Sequence, residues 1–324
     1  MGSISRRGTM AAALALAAGR AGAQPAWPSR SIQVILPYAP GGTGDVFARL
    51  VADRLRGALG QAVVVENRSG ASGVIGTQAA VRALPDGHTL LFGQTSEIAI
   101  AKTFLPNVGF DAERELAPVA LVGNAALALC VNAASPYRSV GDLAAAARAQ
   151  PGGLTFASSG TGTPGHFAAE LLALRAGARM VHVPYRGGGP ALVDLLGGHV
   201  EFFFSGMPAA IPHARDGKLR ILAVSTARRM PGAPEIPTVQ ESGIADFDLS
   251  LWGGFFAPAA TPAAVVQRLN AEVNRLLEDP AVRDRLVQEG AEVRILSTAE
   301  FGAFVRAEIA KYAEVIRATG VRPD

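Results

Sequence analysis

Glycines, more than reactive side chains, carry the chemical interest of this 324-residue chain. Pro37-Tyr-Ala-Pro-Gly-Gly-Thr-Gly-Asp45 joins a β-type apolar run, Ile32 to Leu36, to an amphipathic helix. In that helix Val46, Phe47, Leu50, Val51 and Leu55 recur at helical spacing. A strand that ends in glycines at a helix start leaves backbone N–H groups unpaired and pointing into one crevice, where the helix dipole adds positive potential. Such a turn holds a small anion without lysine or arginine; its bland alternative is a tight turn that binds nothing. Asp45 is unfavourable beside an anion unless it caps the helix or holds bridging water.

The same device returns about 120 residues on. Leu154-Thr-Phe-Ala157 reads as a strand, Ser158-Ser-Gly-Thr-Gly-Thr-Pro-Gly165 as a loop, and Phe167 to Leu174 as the start of a helix. Two such cradles on facing domains make a clamp. A hydrogen bond to a charged group contributes about 1.5–3 kcal/mol net. Four of them give roughly 6–12 kcal/mol before ordering costs, where micromolar affinity needs about 8. Backbone donors therefore suffice for a carboxylate.

Other chemistries fit less well. Gly160-Thr-Gly-Thr-Pro-Gly165 matches G-x-G-x-x-G, so an NADP-binding oxidoreductase is an alternative. The ribose-binding acid expected about 20 residues on is missing, with no acid from Leu171 to Val193, although Arg186 suits a 2′-phosphate. The stretch is one residue from a phosphate loop, but His166 holds the lysine position. Ser158 and Ser159 lack the leading glycine of a nucleophile elbow. The five histidines (His88, His166, His182, His199, His213) form no i, i+4 pair, so no metal or cofactor is expected. His166 alone stands at a cradle. Cys130, the sole cysteine, excludes an intramolecular disulfide and reads as a small buried hydrophobe.

The elements that must position these turns follow from length and pattern. The chain exceeds one comfortable core, so two domains are expected. With 49% apolar, 6% aromatic and 18% charged residues it is an α/β composition. Residues 1–23 read as a signal peptide: Arg6 and Arg7, an apolar stretch from Met10 to Ala18, and cleavage after Ala23. Ser5-Arg6-Arg7 leaves the export route open, and no cysteine offers a lipid anchor there. Arg6, Arg7 and Arg20 leave with it and no acid does, which turns 30 basic residues into 27 against 27 acidic ones. That balance gives no footprint for nucleic acid.

Ala62 to Glu66 reads as a second buried strand, followed by the turn Asn67 to Gly73 and a helix to about Leu84; His88 to Phe92 reads as a third strand. The βαβ spacing predicts a mainly parallel sheet with its loops at 37–45, 67–76 and 93–97 on the ligand-gathering edge. Val119 to Val131 is too long for one ordinary strand and suits a chain leaving one sheet for another. Leu249 to Phe256 is the candidate return. Thr261 is expected to cap one helix and Thr298 with Glu300 to open the last. Two crossings divide the chain into lobe I, 27–124 and 248–324, and an inserted lobe II, 125–247, hinged on one another.

The motifs Pro37 to Asp45, Val65-Glu-Asn-Arg68 with Gly70-Ala-Ser-Gly73, Pro85-Asp-Gly-His-Thr-Leu90, His182-Val-Pro-Tyr-Arg-Gly187, Pro234-Glu-Ile-Pro-Thr238 with Glu241-Ser-Gly243, and Trp252-Gly-Gly-Phe-Phe-Ala-Pro258 with Thr261-Pro262 occur in order. Together they resemble the Bug proteins, the solute-binding proteins of tripartite tricarboxylate transporters, over essentially the whole mature chain. The resemblance implies an α/β fold of the type II periplasmic binding protein kind, two lobes on a two-strand hinge. It implies a non-enzymatic periplasmic monomer that captures a small organic carboxylate for the membrane subunits of a transporter. A ligand sensor for a signalling receptor is the other alternative.

The ligand carboxylate would be held by the loop matching Pro40, Gly41, Gly42 and Thr43, with Asp45 beside it, and by the loop matching Ser158, Gly160, Thr161 and Thr163, with His166 at the helix start. Loops matching Thr95-Ser96 and Ser205-Gly206 would face the distal end of the ligand. Phe204-Ser-Gly-Met207 has no acid where many relatives carry one, which weighs against amino-acid ligands, and Arg186 stands where the family usually has lysine.

Overall fold

The computed structural model describes residues 27–323, so the expected leader 1–23 and its cleavage after Ala23 lie outside the described residues. The run Ile32–Leu36 forms strand β1, parallel to β2 (Val63–Asn67) on one side and to β3 (Thr89–Gln94) on the other. Helix α1 (Thr43–Leu59) crosses between β1 and β2 and buries Phe47, Val51 and Leu55 against the sheet. Gly60, at φ 67°, closes it in the left-handed conformation, its N–H donating to the otherwise orphaned Arg56 carbonyl at 3.1 Å. β2 is an edge strand, not the buried one expected: with a neighbour on one side only, its Val64 is 55% exposed. Helix α2 (Val74–Val81) is shorter than expected and leads to β3.

The long apolar run is one strand after all, β4 (Leu116–Asn132), of 17 residues. It is shared between two sheets, which explains its length. From Leu116 to Ala126 it pairs antiparallel with β9 (Ser250–Pro258); from Leu127 onward it pairs with β7 (Phe202–Gly206) and β8 (Leu219–Val224). The resulting order is β2-β1-β3-β9-β4-β7-β5-β6. In the second lobe β5 (Leu154–Ser158) lies parallel to β6 (Met180–Pro184) and β7. Its helices are α3 (Val140–Ala149), α4 (Pro164–Ala176), α5 (Gly188–Leu196) and α6 (Met207–Arg215).

Ser225 stitches the two crossings together. Its N–H donates to the Leu127 carbonyl at 2.9 Å, its hydroxyl to the Leu249 carbonyl at 2.5 Å, and its carbonyl accepts from the Leu249 N–H at 3.0 Å. Returned to lobe I, the chain forms α7 (Ala263–Glu278), α8 (Pro280–Gln288), the short β10 (Ala291–Glu292) on β4, and α9 (Thr298–Thr319). One cap differs from expectation. Pro262, not Thr261, precedes α7, and the Thr261 hydroxyl is buried without a partner among the described residues. α9 opens at Thr298 as expected, capped by Ser297 in a reciprocal capping box with Glu300. An apolar cluster containing Leu91, Phe156, Phe204, Trp252, Phe301 and Tyr312 runs through both lobes.

Candidate functional site

The two glycine turns meet. A cleft with a cavity volume of about 80 Å³, partly open to solvent, lies between the lobes. Pro40, Gly42, Thr43, Gly44, Asp45, Thr95 and Ser96 line it from lobe I, and Ser159, Thr163, Pro164, Gly165, Ser205 and Gly206 from lobe II. Thr43 and Gly206 touch across it: a Cβ added to Gly206 would stand 2.1 Å from Thr43 Oγ1. Leu127, Phe203 and Leu251, all near the strand crossing, make the apolar part of the wall.

Four helices, α1, α4, α5 and α6, and the π turn Ser96–Ile100 all begin at this cleft. None of the five starts has a side-chain cap; the residues before them are Gly42, Thr163, Gly187, Gly206 and Thr95. Elsewhere among the described residues Asp111 caps the short helix Ala112–Glu115, and Ser139, Asp279 and Ser297 cap α3, α8 and α9, whereas α2, α7 and the short turns Ala71–Gly73 and Ala101–Phe104 have no side-chain cap. Among the described residues the N–H groups of Thr43, Gly44, Gly165 and Gly188 have no protein partner. No Lys, Arg or His lines the cleft. Donors for an anion here thus come from the backbone rather than from cationic side chains.

Asp45, the one acid in the wall, is held by its neighbours. Burial works against its charge, but hydrogen bonds from Arg49, Asn67 and the Gly41 N–H outweigh that and keep its carboxyl below the usual range. Arg49 Nε lies 2.9 Å from Oδ1, and the Gly41 N–H donates to Oδ2 at 3.2 Å. Thr95 Oγ1 accepts from the Trp252 N–H at 2.9 Å, which ties the β3 loop to the returning strand.

Several residues singled out from sequence stand behind the wall. Gly41 is on the outer side of its loop, and its amide is occupied by Asp45. Ser158 is fully buried; its hydroxyl donates to the Gly160 carbonyl at 3.0 Å, accepts from the Gly160 N–H at 3.1 Å and lies 2.6 Å from His182 Nε2. His166 accepts from the Gly162 N–H at 3.1 Å and stacks on His182 with ring centroids 3.8 Å apart. Burial, reinforced by His166, lowers the His182 pKa to about 3. Thr161 faces lobe I, its carbonyl accepting from the Ser72 hydroxyl at 2.7 Å. These residues brace the loop while its neighbours face the cleft. The same packing covers the outer face of the G-x-G-x-x-G turn: Ser72 lies against Gly160 and Phe104 against Gly162. Arg186 is exposed and outside the lining.

Sequence reasoning passed over Gly187-Gly-Gly-Pro190 and Gln94 as wall residues. The first carried a readable signal, since three glycines and a proline at a helix start repeat the device of the other turns.

The sequence profile of the family described as "Tripartite tricarboxylate transporter family receptor" matches residues 47–321. Protein BugT of Bordetella pertussis is 39% identical over 297 residues, 91% of each chain. The structure of Rhodopseudomonas palustris Rpa4515 with adipate superposes with a TM-score of 0.89 at 34% identity, covering 92% of this chain and 100% of that one. MatC of the same organism, with bound malate, gives 0.83 at 30% identity over 90% and 100%. The architecture of two lobes on a shared, curled α/β sheet is that of these periplasmic binding proteins. The chain belongs to the tripartite tricarboxylate transporter receptor family.

Proposed function

We propose that the cleft binds a small organic carboxylate as the lobes close, and that the loaded protein delivers it to the membrane subunits of a transporter. The observation that carries this reading is the convergence of five uncapped helix starts on a wall without a cationic side chain. An anion there collects backbone hydrogen bonds and the ends of several helix dipoles at once. Relatives solved with adipate and malate support the carboxylate class. The lobes are 27–124 with 248–324, and 125–247. The binding residues are Pro40, Gly42, Thr43, Thr95, Ser96, Thr163 and Ser205, joined by Ser159, Gly165 and Gly188; Asp45, Ser158, Gly160, Thr161 and His166 hold the loops in place. The protein works as an exported periplasmic monomer without catalysis, and the family membership supports that setting.

Thermal-shift titration against adipate, malate and tricarboxylates tests the reading. Saturation at about 100 Kd adds roughly 2.7 kcal/mol of stability. No shift with any mono-, di- or tricarboxylate, alongside clear NADPH binding by fluorescence, would reverse it.

A further inference from the structure

Behind the lobe I wall, Glu97 on the π turn is 1% exposed. Its Oε1 accepts from the Gln94 N–H at 2.6 Å. Its Oε2 lies 2.8 Å from Tyr38 Oη, and that hydroxyl lies 3.0 Å from the Ser72 carbonyl. Ser72 then reaches lobe II behind the cleft wall, donating its own hydroxyl to the Thr161 carbonyl at 2.7 Å. Ala71 and Ser72 sit at φ 46° and 50°, a left-handed conformation that non-glycine residues seldom adopt, so the turn depends on the contacts that hold it.

The Tyr38 hydroxyl has one hydrogen for two oxygens. With Glu97 ionised, the carboxylate is the stronger acceptor and takes it, leaving the Ser72 carbonyl without a donor. With Glu97 protonated, the acid donates to Tyr38, Tyr38 donates to Ser72, and every contact holds one hydrogen. We propose that Glu97 is a positioning residue for lobe closure, its protonated form fastening Ser72 to Thr161 through Tyr38. This rests on the reading of two lobes that close on a ligand.

The surroundings fit a neutral acid. Burial, partly offset by the bonds from Gln94 and Tyr38, pushes the Glu97 carboxyl up to about 8. The 71–73 turn brings no titratable group. On α9, which packs along the π turn, Glu308 and Lys311 pair with each other at 2.7 Å. Lys102, on the next turn, is taken by Asp111 and Glu113. Among the described residues no hydrogen bond or ion pair joins a cation to Glu97.

The test reads closure directly. Spin labels on Arg56→Cys and Val193→Cys report the distance between the lobes, with Cys130 too buried to be labelled. Near pH 6 the closed-distance population is expected to exceed that near pH 10 by about tenfold in the otherwise unchanged protein. Glu97→Gln, whose amide donates to Tyr38 at any pH, should stay closed at both. Ser72→Ala should lose the closed population at both. A distance distribution that ignores pH, or a Glu97→Gln protein that follows the parent, overturns the proposal. The measurement is made on the empty protein and repeated with adipate. An absent adipate effect counts against the carboxylate reading alone, because the pH response is read without it.

Discussion

Gly206 has no side chain where Thr43 arrives from the other lobe, and an added methyl would stand 2.1 Å from that hydroxyl. Gly206→Ala should therefore obstruct closure while leaving each lobe intact. The expected result is at least tenfold weaker adipate binding, about 1.4 kcal/mol, with the ligand-free Tm little changed, by calorimetry on both proteins. His182 carries a second prediction. Burial, with His166 beside it, lowers its folded pKa to about 3, below the roughly 6.5 of an unfolded histidine. Between those values the unfolded chain binds more protons than the folded one. The stability that neutral His182 provides is thus present above about pH 6.5 and lost as pH falls toward about 3. His182→Gln keeps a polar partner for Ser158 and removes the titration. Its Tm should fall less steeply than the parent's between pH 6.5 and pH 4.

At the scale of elements, the capping box of α9 decides how a long helix begins, and that helix packs along the π turn, β4 and α4. Ser297→Ala should cost about 1 kcal/mol, a Tm decrease of roughly 2–4 °C in a melting scan. Most strands and helices were legible because their apolar residues recur with the right period, as in Ile32–Leu36 and in Phe47, Val51 and Leu55 of α1. What was not legible depended on partners far along the chain. Val64 looks like a core residue and is exposed, because no strand lies beyond β2. Thr261 has the right residue type for a cap, but the backbone turns one position later. At the site, sequence found the turns but not the direction of each amide. The Gly160 and Gly162 N–H groups bond inward to Ser158 and His166, so the free donors belong to their neighbours.

For the whole molecule, the sharing of β4 and the apolar cluster between the lobes bears on how the protein comes apart. Ala128 to Val131 lie between β7 and β8 in one sheet, and Leu116 to Ala126 pair with β9 in the other, with Ser225 tying both crossings. Thermal unfolding followed by calorimetry should give one transition for both lobes, with calorimetric and van't Hoff enthalpies equal; two resolved peaks would contradict this.

The shared strand also limits what protein engineering can do with this scaffold. Excising residues 125–247 as a stand-alone module would cut β4 within its length, taking Ala125 and Ala126 out of the ladder with β9 and Ala125 out of the pairing with β10. A reporter domain meant to register ligand uptake belongs at a peripheral turn such as Gly152–Gly153, where the backbone bears on neither lobe's link to the other.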